Sequence, residues 1–181
     1  MMVRIWCFMI KKVVAAIALL LSCSSVMSAT HCKQDEAVYF SCKIKKSART
    51  VSLCGSPANI SDAKSVWLQY RFGELNSKSI FTYPADKKGS IEHFEGETHA
   101  FQSENGIGRS YNDRVWFNNG NAYYGVIVDE GDNHFFGVWV DIGKKHVSLP
   151  CDGTKEIDFG DDTDFGQSFS GLVRDLKQVD E

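Results

Sequence analysis

The sequence predicts an all-β, mainly antiparallel domain, a β-sandwich or up-and-down barrel of about eight or nine strands closed by a C-terminal amphipathic helix. Three observations predict it. Beyond residue 30, apolar and aromatic residues alternate with polar ones in short runs bounded by Gly, Asn, Asp and Lys, the pattern of half-buried strands. A nine-residue unit at 123–131, rich in aromatic and β-branched residues, is echoed twelve residues later at 135–143, as in a β-meander. Helical spacing is scarce until the tail, where Phe165, Phe169, Leu172, Val173, Leu176 and Val179 share one stripe.

The first element is an export signal at 1–29. Lys11 and Lys12 precede an apolar run at 13–21 and then small residues up to Ala29. That run falls well short of the roughly 20 residues a bilayer span needs. Met9 is the more ordinary start for such a signal. Cleavage leaves one domain at 30–181. Leu20, Leu21, Ser22 and Cys23 also resemble a bacterial lipobox, and lipidation at Cys23 is the one route by which the domain becomes membrane-attached. Both routes place it outside the cytoplasm, in the periplasm or extracellular space or, if lipidated, on the outer membrane.

Strands are expected near 37–44, 50–54, 65–72, 78–83, 97–103, 113–118, 121–128, 134–141 and 145–150. In the first hairpin, Val38, Phe40, Cys42 and Ile44 form the apolar face; pairing Ile44 with Val51 and Cys42 with Leu53 completes it. Cys54 then falls on the opposite face, which disfavours a Cys42 to Cys54 bridge. In the repeated unit, folding the first half onto the second sets Gly125 against Gly137 and Tyr123 against Trp139. Both faces of that pair are apolar, and a covering element is expected over Tyr123, Ile127, Phe135 and Trp139. The tail supplies it: Asp164 and Gln167 resemble a capping box, and residues 165–178 form the helix.

Composition excludes several function classes. Of the 20 basic residues, Arg4, Lys11 and Lys12 lie in the leader, which leaves 17 against 23 acidic ones and a net charge of −6. Such a domain is a poor partner for nucleic acid or an anionic membrane. Cys7 and Cys23 fall in the leader, so Cys32, Cys42, Cys54 and Cys151 remain. Four cysteines in an exported chain imply two disulfides with three possible connectivities, and their spacing is unlike a zinc site.

Cys32, the run Val38 to Cys42, the run Val51 to Ser56, the run Leu68 to Gly73 and the closing Leu149, Pro150 and Cys151 are together similar to a group of small exported bacterial envelope proteins without assigned function. The resemblance spans most of the mature chain and implies an envelope location and structural disulfides, without implying an activity.

Two constellations carry candidate chemistry. His93, Glu95, Glu97 and His99 alternate, so a regular strand projects them from one face, with a donor set suited to a transition metal or an acid and base pair. The same alternation marks a solvated strand, and ligands strung over about 20 Å do not converge. Tyr123 and Trp139 offer an aromatic groove for a sugar ring or a partner's side chain; alternatively they lie over glycines to cover bare backbone. No cofactor is implied. The function expected first is a non-catalytic envelope protein that binds another protein, such as an inhibitor or immunity-type partner of a cell-wall-active enzyme. A metal-dependent enzyme or a small-ligand or glycan-binding domain is the alternative.

Overall fold

A computed structural model of the chain describes residues 29–57, 65–102, 109–131, 134–153 and 169–177. The expected signal segment with Cys23, and the proposed capping box, lie outside those residues. Two antiparallel sheets make an all-β sandwich. The first holds β1 (Ala37–Lys43), β2 (Arg49–Gly55), β3 (Leu68–Glu74) and β4 (Phe81–Tyr83). The second holds β5 (Phe94–Gln102), β6 (Arg109–Asn119), β7 (Ala122–Asp129), β8 (Phe136–Ile142) and β9 (Lys145–Pro150). Every strand pairs with its neighbour in sequence, so each sheet is a simple meander. A 3-10 turn, Ser90–His93, leads from the first sheet into the second.

The sheets are stitched where the end of β1 meets the end of β9. Ile44 bridges Cys151, the Lys45 N–H donates to the Pro150 carbonyl at 2.8 Å and the Asp152 N–H to the Lys43 carbonyl at 2.8 Å. Beside them the Cys42–Cys151 disulfide links residues 109 apart, and Cys32–Cys54 links residues 22 apart. This settles the connectivity that the sequence left open.

The core lies between the sheets. Alternation turns Phe40, Val51, Leu53 and Tyr70 inward from one sheet and Phe94, Val115, Phe117, Val126 and Val138 from the other, all buried. Aromatic rings fill the middle: Tyr83 stacks on Phe117 at 4.4 Å between centroids, Phe117 on Tyr124 at 5.2 Å, and Tyr70 packs against Phe117 at 5.2 Å. Such pairs add about 0.5–1.5 kcal/mol each beyond the area they bury. Burial pushes the Tyr70 hydroxyl pKa far above its ordinary value.

Both expected hairpin registers are corrected by two residues. Cys42 pairs with Val51 and Phe40 with Leu53, because the Ile44 N–H closes the turn onto the Arg49 carbonyl and Ile44 leaves the ladder to bridge Cys151. An extra residue, Tyr39, bulges between Val38 and Phe40 and takes Val38 off the apolar face. In the repeated unit, Gly125 lies opposite Trp139 and Tyr123 opposite Asp141, because the Asp129 N–H donates to the Phe135 carbonyl at 2.8 Å.

The helix is corrected in place. Helix α1 (Phe169–Lys177) buries Phe169, Leu172, Val173 and Leu176, the stripe read from the sequence. It packs between the sheets instead of on the outer face. Phe169 lies 5.7 Å from the Phe40 ring, the Ser170 hydroxyl donates to Asp113 Oδ2 at 2.5 Å, and a Cβ at Gly96 would come within 2.8 Å of the Val173 carbonyl. Gly96 is thus the flat spot on the inner side of β5 that admits the helix. Among the described residues no helix is long and apolar enough to cross a membrane.

Candidate functional site

With the helix inside, the outer face of the five-stranded sheet is left uncovered by it, and the sequence's aromatic candidates lie there. Tyr123 is 52% exposed, while Trp116 and Trp139 are half-buried. Trp116, Gly125, Trp139 and Ser148 form one cross-strand row, and Asn118, Tyr123, Asp141 and His146 form the next. A Cβ at Gly125 would stand 1.9 Å from Cη2 and Cζ3 of Trp139. The indole therefore lies across the Gly125 backbone, with the residue as a whole half-buried. Covering bare backbone and presenting a platform are the same arrangement here.

Beside the platform, three polar side chains that the sequence did not single out are joined. The two-residue turn at Gly143 and Lys144 pairs Ile142 with Lys145 and so sets Asp141 directly opposite His146. His146 Nδ1 lies 2.6 Å from Asp141 Oδ1, and His146 Nε2 lies 2.9 Å from Ser148 Oγ. The ring thus bridges the carboxylate of one strand and the hydroxyl of the other through its two nitrogens. The signal was present in the sequence: a Gly-containing two-residue turn fixes register, and residues two apart share a face.

The His/Glu row is broken at its start. His93 belongs to the 3-10 turn, and its ring meets Tyr83 at 6.0 Å. Glu95, Glu97 and His99 follow on the outer side of β5, opposite Trp116, Arg114 and Asn112. Of these, Glu97 and His99 come together at 2.7 Å as a half-exposed pair. Among the described residues, the one trio of His, Cys, Asp or Glu whose ligand atoms lie within 4.8 Å of one another is Cys32, Glu36 and Cys54. Its two sulfurs are bonded to each other and so offer no thiolate.

Glu36 instead anchors a buried polar layer on the far side of the first sheet. Its carboxylate takes Arg71 Nη1 at 2.5 Å, Arg71 Nη2 at 3.0 Å and Lys87 Nζ at 2.9 Å. Arg71 also donates to Gln69 Oε1 and to the His31 carbonyl, and Lys87 sits 3.7 Å from the centre of the Trp67 ring. Burial works to raise the Glu36 pKa, but hydrogen bonds from Arg71, the Lys33 N–H and Lys87 outweigh it and hold the carboxyl at about 2. Residues 29–36 are fastened across that sheet by this cluster, by the Cys32–Cys54 bond and by the His31 N–H on Ser52 Oγ. The layer explains why Thr50, Ser52 and Gln69 are buried although alternation marks them for solvent.

No family model, curated protein or solved structure matches the chain. The functional reading therefore rests on these residues alone.

Proposed function

We propose that this protein is a non-catalytic binding domain of the bacterial cell envelope, and that its binding surface is the outer face of the five-stranded sheet. The observation that carries the reading is the destination of α1. The helix expected over that face packs inside, and Tyr123 is exposed there beside the half-buried Trp139 indole that lies on Gly125. Aromatic groups on a rigid scaffold surface are the usual anchors of recognition, since they bury much area for little lost side-chain freedom. Two disulfides fit folding in an oxidising compartment, and the leader directs the chain there, to the periplasm or, through Cys23, to a lipid anchor. The role expected of such a domain is to hold another envelope or extracellular protein, as an inhibitor or immunity-type partner of a cell-wall-active enzyme does.

The test is photocrosslinking in living cells, with a photoreactive phenylalanine derivative replacing either Tyr123 or Lys46, an exposed residue of the β1–β2 turn. An adduct from position 123 and none from 46 is expected. Equal capture at both positions, or none at 123, removes the support for this face.

A further inference from the structure

We infer that the corner of this face formed by Tyr123, Trp139 and the Asp141–His146–Ser148 chain is a subsite for one or two sugar units of a neutral glycan. This rests on the outer face being the binding surface, and it names the ligand chemistry at one end of it. A pyranose ring presents an apolar face of C–H groups and an edge of hydroxyls. The corner presents the complement of both. The half-buried indole of Trp139, seated on Gly125 because that residue has no side chain, is a stacking surface for the C–H face. Tyr123 stands in the adjoining row, next to Asp141.

The hydroxyl edge meets polar groups already joined to one another. With Asp141 Oδ1, the two ring nitrogens of His146 and Ser148 Oγ joined in one chain, the second Asp141 oxygen and a remaining lone pair of Ser148 Oγ are acceptors for sugar hydroxyl donors. The backbone adds to this edge. Since Ile142 and Lys145 close the hairpin, His146, Ser148 and Pro150 direct their peptide groups away from β8, as the Pro150 carbonyl shows by taking the Lys45 N–H. A net charge of −6 on the mature part, with Asp141 at the site, disfavours an anionic glycan.

The experiment is calorimetric titration of the exported protein, purified from the envelope, with the neutral tetramer of β-1,4-linked N-acetylglucosamine, and with maltotetraose to compare linkage. Saturable binding of either glycan that weakens by about tenfold on Ser148→Ala and on Tyr123→Ala is expected. Both are exposed residues, and their variants are checked for an unchanged urea midpoint. Trp139→Phe keeps a ring over Gly125 and is expected to weaken binding less than Trp139→Ala. Binding that none of these variants weakens overturns the subsite. No glycan binding together with a protein adduct from position 123 overturns the subsite and leaves the binding face standing. Failure of both ends the two proposals together.

Discussion

At the scale of single residues, two side chains decide what the two outer surfaces become. Glu36 is buried and ionised, and its pKa of about 2 in the fold lies below the ordinary 4.5. A depressed carboxyl contributes stability that is fully present above its unfolded pKa and is lost as pH falls from about 4.5 toward 2. The gap corresponds to about 3 kcal/mol. Glu36→Gln is therefore expected to destabilise the protein by about 3 kcal/mol at pH 7, because it leaves Arg71 buried without its counter-charge. The difference between wild type and variant should shrink as pH falls through that window, read from urea unfolding at stepped pH. Gly125 acts through an absence of atoms. Gly125→Ala places a methyl inside the Trp139 ring and is expected to cost about 1–3 kcal/mol, with a red shift of tryptophan emission as the indole lifts. An unchanged midpoint and spectrum would show that the ring does not lie there.

At the scale of elements, nine strands and the helix stripe were legible because side-chain period survives any context. Register was not legible to better than two residues. A slip of two leaves every side chain on its own face, so the apolar pattern fits either pairing, and the turn's hydrogen bonds make the choice. This is why Tyr123 was expected opposite Trp139 and stands opposite Asp141. The Asp141–His146–Ser148 chain is different: the two-residue turn at Gly143 and Lys144 does fix its register, but its members are unremarkable in sequence and become neighbours only once β8 and β9 are aligned. The Glu36–Arg71–Lys87 cluster was hidden differently: it forms across segments far apart in the chain. The disulfides belong to this scale as well. In the chain-entropy picture, closing 109 residues through Cys42–Cys151 contributes about 5 kcal/mol and closing 22 through Cys32–Cys54 about 3. Replacing Cys42 and Cys151 by Ala should lower the unfolding free energy by more than replacing Cys32 and Cys54, by roughly 1–2 kcal/mol in denaturant titrations. The reverse order would mean that fastening residues 29–36 matters more than stitching the sheets.

At the scale of the whole molecule, the two sheets treat their outer faces oppositely. The first is sealed by residues 29–36 with a disulfide, an ion-pair cluster and shared serine hydroxyls. The second, whose apolar outer residues led us to expect a cover, is not covered by α1, which is taken up by the gap between the sheets at Gly96 and Phe40, and among the described residues no other element lies over it. The fold class followed from the sequence; this difference did not, since a stripe of apolar residues says that a helix is covered and not by what. The division implies that the open face is where the protein meets its surroundings. Hydroxyl-radical footprinting, performed on the purified protein and again in the intact envelope, tests that claim most directly. Tyr123 and Trp139 should react readily in isolation and become protected in the envelope, while exposed Tyr111 and Val147, whose side chains are on the opposite side of the sheet, stay reactive in both. Equal reactivity of Tyr123 and Trp139 in the two settings would contradict the account.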